Sequence, residues 1–254
     1  MPINMRPRCV AHSCIAVLIL ISFAHSQAIS DETNPTPTTP AVGLIAHWSF
    51  DDCSAHDFAE NGHDGEIVGQ PECIQGRDGG RALRFLGQTP SPYILVKKDI
   101  PLGQAYTISA WIQYSGRKRG WQIVASRMLN ATTDQNDAWD LALTGNRLFF
   151  FHSGQHHHTE YCCIGGPTWQ MITVTVQDIE GLVYVNGKSV HSFEAKPFLA
   201  TDTVPICIGC NDYNTLPPRH FFAGSIDDLR IYHRALSSEE VRALYPNSPN
   251  VAPK

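Results

Sequence analysis

Two adjacent carboxylates, Asp227 and Asp228, are the first residues of this sequence that suggest chemistry. Hydrolysis of a glycosidic bond requires two carboxyl groups about 5 to 10 Å apart across a groove. Contiguous residues of a strand point to opposite faces, so this pair meets the requirement only if the strand is bulged. The sequence contains no G-x-S-x-G, phosphate-loop or H-E-x-x-H motif. We therefore predict a protein that is not an enzyme, with a polysaccharide hydrolase as the weaker alternative.

The cysteines are the second group of residues that suggest chemistry. Six of them follow the N-terminal apolar segment, and an even number in an oxidising compartment predicts disulfides. Cys53 and Cys73 are close enough in sequence to close one loop. The other four form two short pairs whose members point to opposite faces if extended, which favours two cross-links between neighbouring segments. A tetrahedral zinc site with nearby histidines is the alternative, since Cys-x-x-Cys is a typical ligand spacing. These four cysteines are Cys162, Cys163, Cys207 and Cys210.

Aromatic residues beside predicted turns are the candidates for ligand contact, because amphipathic rings stack on sugar faces and anchor protein contacts. Trp121, Tyr161 and Tyr213 occupy such positions. The alternative for Trp121 is packing under its own hairpin. Three further tryptophans are predicted to lie in the core: Trp48, Trp111 and Trp169.

A histidine-rich stretch, which contains His156, His157 and His158, offers ligands for a transition metal. Three adjacent histidines cannot all face one ion from a strand, and a flexible loop binds weakly. We therefore interpret this stretch as an exposed hairpin loop.

The N-terminal 26 residues are predicted to be a secretory signal peptide. Arg6 and Arg8 precede an apolar run from Cys14 to Ala24, and small residues follow it. The run is too short for a permanent membrane span, which takes about 20 residues. We therefore expect a secreted protein without a membrane span, or a periplasmic one in a bacterial host.

The rest of the chain predicts one folded domain. Residues 27–41 are rich in Pro and Thr and predict an exposed linker, residues 42–246 form the domain, and residues 247–254 a flexible tail.

The net charge is −5, from 19 Lys and Arg against 24 Asp and Glu. A chain with this charge balance lacks the positively charged surface that binds the phosphate backbone of nucleic acids, so nucleic acid is not an expected partner.

Short alternating or β-branched runs separated by turn residues predict an all-β sandwich. In one run Ile172, Val174 and Val176 share a face, which predicts a core face and a partly wet one. Asn186-Gly187 and Gly145-Asn146 predict two-residue hairpin turns. The predicted strands are 43–50, 65–68, 81–85, 93–96, 106–114, 123–127, 139–143, 147–152, 170–177, 182–185, 188–193, 206–208 and 224–232.

The last predicted strand changes the parity of its apolar residues between Ile226 and Leu229. A bulge at Asp227-Asp228 would turn both apolar side chains inward. The sequence from Ser237 to Glu240 is a capping box and predicts one short C-terminal helix.

Six segments carry a pattern that extends over nearly all of the predicted domain. They are LIAHWSFD at 44–51, NGHDG at 61–65, GRALRF at 80–85, YTISAWI at 106–112, YVNGK at 184–188 and GSIDDLRIYHRALS at 224–237. In this order they resemble the laminin-G-like, concanavalin A-like lectin/glucanase family. The resemblance implies an antiparallel two-sheet jelly roll in which the strand of Trp48 lies close to the strand of Asp227.

Members of this family bind glycans, glycosaminoglycans or proteins through rim loops or a concave sheet. The resemblance therefore implies a secreted module that binds carbohydrate or glycoprotein. The alternative is a structural or protein-interaction domain of a cell surface or matrix, with a role in adhesion. Asn130-Ala131-Thr132 is a glycosylation sequon for a host that glycosylates secreted chains.

The family often carries calcium, and the resemblance implies candidate ligands at Asp57, Asn61 and Asp227 or Asp228. Calcium favours such hard oxygen ligands. Without calcium, the expected arrangement is a turn aspartate together with surface ion pairs to Arg230 or Arg234.

Overall fold

The computed structural model of the chain describes residues 40–88, 90–100, 102–114, 120–127, 139–159, 164–197, 204–211 and 219–245. In this part of the chain no helix has the length and hydropathy of a membrane span. The predictions that lie outside the described residues concern the signal peptide, the linker before residue 40, the tail, Asn130, Tyr161, Cys162, Cys163 and Tyr213.

Two antiparallel sheets form the described domain, as predicted. The eight-stranded sheet contains, in spatial order, β13 (Lys188–Glu194), β12 (Glu180–Val185), β11 (Gln170–Gln177), β6 (Ala105–Tyr114), β15 (Ala223–Tyr232), β4 (Arg81–Leu86) and β3 (Glu72–Gln75), and β1 (Leu44–Trp48) also pairs with β15. The seven-stranded sheet contains β10 (Gln155–His158), β9 (Arg147–His152), β8 (Trp139–Thr144), β7 (Gln122–Arg127), β14 (Ile206–Ile208), β5 (Tyr93–Val96) and β2 (Glu66–Val68).

One core lies between the sheets, where alternate residues of each strand point inward. Ile172, Val174 and Val176 of β11 are buried there, as predicted. On the other face Thr173 is buried as well and shares a 2.8 Å hydrogen bond with Ser109. The prediction of a partly wet face is therefore wrong for this part of β11.

The turn and helix predictions are confirmed. Asn186 and Gly187 have φ angles of 51° and 73°, as a type I′ turn between β12 and β13 requires. The helix α1 (Ser238–Leu244) begins with the capping box, in which Ser237 and Glu240 bond each other's backbone N–H. This helix lies against Trp111, which is therefore buried under α1 rather than in the core between the sheets.

Two disulfides are present among the described cysteines. Cys53 bonds Cys73, as the sequence suggested. Cys207 bonds Cys210, so the predicted cross-link from these cysteines to a neighbouring segment is wrong, and neither thiol is available to zinc. The argument from alternation fails because β14 ends at Ile208 and Gly209, with φ +87°, turns the chain back.

Replacement of Cys53 and Cys73 by Ser should lower the free energy of unfolding by about 3 kcal/mol, since the bond closes a loop with a sequence separation of 20. The matched change at Cys207 and Cys210, separated by 3, should cost less, about 2 kcal/mol. Urea denaturation of both double variants measures the difference. Equal losses would contradict the loop-length explanation.

Candidate functional site

Strand β15 changes its partner halfway along its length. Residues Ala223 to Ile226 pair with β4, whereas Leu229 to Tyr232 pair with β1. Between them the register shifts, and Asp228 has a φ of 52°. Ile226 and Leu229 are both fully buried, so the bulge predicted from their parity is confirmed.

A polar cleft of about 290 Å³ lies at this bulge. Its walls come from the end of β1, the loop 76–80 before β4, the bulge itself and Leu244 of α1. The loop approaches the bulge so closely that a Cβ on Gly76 would lie 2.7 Å from Asp227 Oδ2. Glycine is therefore required there, which gives the G-R-D-G-G sequence between β3 and β4 a structural purpose.

Asp227 is 7% exposed in this cleft, and its Oδ2 accepts a 3.0 Å hydrogen bond from the backbone N–H of Arg77. Burial, together with the negative charges of Asp228 and Asp51, raises the pKa of Asp227 to about 7 despite that hydrogen bond. A large fraction of Asp227 side chains is therefore protonated at neutral pH.

Asp228 has the opposite environment. Its Oδ1 accepts a 2.6 Å hydrogen bond from His47 Nε2 and forms an ion pair with Arg230, whose Nη2 lies 2.7 Å away. Burial opposes ionisation, but these two partners keep the pKa of Asp228 below its ordinary value. The pair therefore contains one readily protonated and one ionised carboxyl group, and the ion pair to Arg230 is one that the sequence had suggested.

The bulge directs both carboxylates into one cleft. The sequence argument against catalysis allowed for this arrangement only in the case of a bulged strand. Each carboxylate is nevertheless engaged by donors of the protein itself. The Arg77 guanidinium beside them lies 4.1 Å above the Trp111 ring, a cation–π contact. These contacts join the loop 76–80, β1 and β15 where β15 exchanges partners.

The early candidate calcium ligands have other partners. Asp57 accepts the backbone N–H groups of His47, Ala59 and His63, and Asn61 donates to the carbonyl of Ile45. The oxygens of Asp57 thus face N–H groups, as in a turn aspartate. Across the described ranges no group of three or more His, Cys, Asp or Glu side chains is placed to hold a metal, so these residues do not form one oxygen cage with the bulge. Calcium binding stays a prediction.

The outer face of the seven-stranded sheet carries one continuous row of side chains. Directly paired residues of neighbouring strands share a face. The residues that precede or follow the outward ones in each strand point the other way: Phe150, Leu141 and Ile94, for example, point into the core. From β10 to β2 the outward row is His156, Phe151, Asp140, Ser126, Cys207, Leu95 and Glu66.

Trp121 lies immediately before β7 and is 36% exposed on this outer face. Its ring meets Phe149 edge to face at 4.7 Å and lies 6.2 Å from His156. The Phe149 ring in turn stacks on His158 at 5.3 Å. Trp121, Phe149, His156 and His158 are called the aromatic patch below.

The sequence had singled out Trp121 but not the other members of the aromatic patch. Strand β10 was missed because its histidines suggested a loop, and the prediction of an exposed hairpin loop is wrong. Ser153 and Gly154 form a two-residue turn with φ angles of 45° and 80°, which returns the chain alongside β9. The signal that could have found it is the Ser-Gly dipeptide after Phe149-Phe150-Phe151.

Comparisons with known proteins agree on the fold. The family described as the concanavalin A-like lectin/glucanases superfamily matches residues 88–242, more than half of the chain. A comparison with curated proteins gives no match.

Solved structures with a similar fold include domain 4 of AbnA, a GH43 extracellular arabinanase from Geobacillus stearothermophilus, in complex with arabinotriose. It has a TM-score of 0.63 and 21% identity, over 80% of this chain and 98% of that one. The binding domain of Paraclostridial Mosquitocidal Protein 1 has a TM-score of 0.61 and 19% identity, over 81% of this chain and 52% of that one. The binding domain of botulinum neurotoxin DC in complex with SialylT has a TM-score of 0.60 and 14% identity, over 81% and 51%. The chain thus spans about half the length of these two toxin domains.

Proposed function

Because the chain belongs to the concanavalin A-like lectin/glucanases superfamily, we propose that it is a secreted, non-catalytic module that binds carbohydrate through its aromatic patch. The observation that carries this proposal is the partly exposed ring of Trp121 on the outer face of a sheet. Among the similar folds, the arabinanase domain is described with arabinotriose and a toxin domain with SialylT, which supports a sugar as the ligand class.

The aromatic patch has the composition of a sugar-binding surface. Flat rings bury the apolar face of a pyranose or furanose, and a few polar groups then fix its orientation. Phe149 braces Trp121 from one side, so the indole loses little additional freedom when a ligand stacks on it. His156 and His158 are exposed beside it and supply ring nitrogens that can bond sugar hydroxyls.

Non-catalytic binding is proposed because the carboxylates that the bulge directs into the polar cleft are already engaged by Arg77, His47 and Arg230. Secretion is proposed because the two disulfides of the described domain fit an oxidising compartment. The sequence resemblance also implies a structural calcium ion, so binding should be measured both with calcium and with a chelator.

Replacement of Trp121 by Ala should lower the affinity for the glycans that bind on a glycan array by at least about tenfold, because truncation of an aromatic anchor typically costs more than about 1.4 kcal/mol. The matched control is Phe58→Ala, which removes another exposed ring, 43% exposed, from the segment after β1. Titration calorimetry with the strongest array ligand measures both variants.

Three outcomes would contradict the proposal. One is an array without binding both in calcium and in chelator. Another is an unchanged affinity in Trp121→Ala. Release of reducing sugar from a bound polysaccharide would contradict its non-catalytic part.

A further inference from the structure

We propose that His156 and His158 form a two-histidine site for a divalent transition-metal cation on the outer face of β10. Imidazole nitrogens are suitable ligands for Cu²⁺, Ni²⁺ and Zn²⁺, whereas calcium prefers oxygen. The two histidines also belong to the aromatic patch, but the metal site needs no sugar to form.

Strand geometry gives the first reason. His156 pairs with Phe151 and His158 with Phe149, so both histidines project from the same outward face. Residues two apart on a strand are about 6.6 Å apart along the chain. Two imidazoles that lean toward each other over that distance can share one ion at metal–nitrogen distances of about 2.0 to 2.1 Å.

His157 explains why the site has two ligands rather than three. Its ring faces the opposite side of β10 and stacks on Phe193 of β13 at 4.0 Å. Its Nε2 is buried and has no hydrogen-bond partner among the residues that the structure describes. Three adjacent histidines of a strand cannot all face one ion, but only His157 is turned away. His156 and His158 remain together on the outer face.

The aromatic side chains beneath the two histidines restrict their orientations. His158 lies nearly parallel to the Phe149 ring, with an interplanar angle of 22°, and His156 meets Phe151 edge to face at 4.7 Å. Both histidines are exposed, so solvent can reach the ring nitrogens. Because no larger His, Cys, Asp or Glu group among the described residues is placed to hold a metal, water completes the coordination. The expected order of affinity places Cu²⁺ above both Ni²⁺ and Zn²⁺.

Trp121 provides a local probe, since its ring centroid is 6.2 Å from that of His156. Titration of the purified chain with Cu²⁺ alone should quench tryptophan fluorescence and give a one-site isotherm in calorimetry. Electron paramagnetic resonance of the copper complex should show hyperfine splitting from two nitrogens. His158→Gln and His156→Gln should each weaken binding by at least about tenfold, because even the loss of an outer-sphere partner costs 10 to 100-fold.

The matched control is His56→Gln, which alters another exposed histidine on the loop after β1. It should leave the copper affinity and the two-nitrogen spectrum unchanged. Thermal melting without metal verifies that each variant is folded, and a misfolded Gln variant is replaced by Asn at the same position. Unchanged copper affinity in either single variant, or a spectrum with no more than one nitrogen, would overturn the two-histidine site. Neither result depends on whether the glycan array is positive.

Discussion

The Asp228→Asn variant should be less stable than the unaltered protein by about 3 kcal/mol at pH 7. Asp228 accepts a hydrogen bond from His47 and forms an ion pair with Arg230, and its side chain is only 16% exposed. Removal of one partner leaves the other charge partly buried without compensation, which typically costs about 3 to 5 kcal/mol. Asn tolerates the φ of 52° at this position, so the substitution changes the charge without adding backbone strain.

Thermal melting should show this loss as a decrease in Tm of about 6 to 12 °C for a domain of this size. The pKa of Asp228 is lowered in the folded protein, so its stabilisation is present above the ordinary aspartate pKa of 3.8 and is lost as the pH falls through the lower folded value. The difference between the variant and the unaltered protein should therefore shrink in acid. The matched control is Asp78→Asn in the same cleft, whose side chain is 66% exposed and should matter by no more than about 0.5 kcal/mol. Equal losses in both variants would refute the proposed role of the buried pair.

Asp227→Asn should have the opposite effect, although it alters the adjacent residue. Burial raises the pKa of Asp227 from 3.8 to about 7, so the folded protein carries an unfavourable charge in mildly alkaline solution. Asn resembles the protonated carboxyl group in shape and can still accept the N–H of Arg77. Stability should therefore increase at pH 8, by at most about 4 kcal/mol, since a pKa difference of one corresponds to about 1.4 kcal/mol.

The sign follows from proton binding. Between about pH 4 and pH 7 the folded protein binds more protons at Asp227 than the unfolded chain, so this residue makes stability decline as the pH rises. The gain in Asp227→Asn should be absent near pH 4 and complete near pH 8. Urea denaturation of both proteins between about pH 4 and pH 8 measures this gain in the free energy of unfolding, and a chelator in the buffer removes any effect of bound metal. A gain that is the same at both ends would show that it does not arise from titration of Asp227.

Much of the fold could be predicted because period-two patterns and turn residues are local. The β11 strand was predicted with its observed bounds, and the parity change between Ile226 and Leu229 was enough to predict the bulge. Strand β3 was missed, because a four-residue segment with Glu72 and Gln75 at its ends has no clear apolar pattern. The disulfide of Cys207 and Cys210 was mispredicted, because alternation holds only while the strand continues.

The candidate sites depend on contacts between distant segments, which spacing alone does not encode. Nothing in the sequence places Arg77 against Asp227, since 150 residues separate them. Likewise, the edge-to-face contact of Trp121 with Phe149 exists only because β7, β8 and β9 are neighbours in one sheet. Trp121 could be selected from its position beside a turn, but its partners became visible only with the register of the sheet.

The central position of β15 has a consequence for how the chain acquires its fold. Strand β15 lies between β6 on one edge and β4 with β1 on the other, yet it is the last strand in chain order among those described. During synthesis β1, β4 and β6 leave the ribosome with the place between them empty, and their inward edges remain unpaired until residues 223–232 emerge. Pairing at such long sequence separation slows folding and leaves exposed strand edges vulnerable to association with other chains. A nascent chain stalled before residue 223 is therefore expected to be the species that most needs a chaperone.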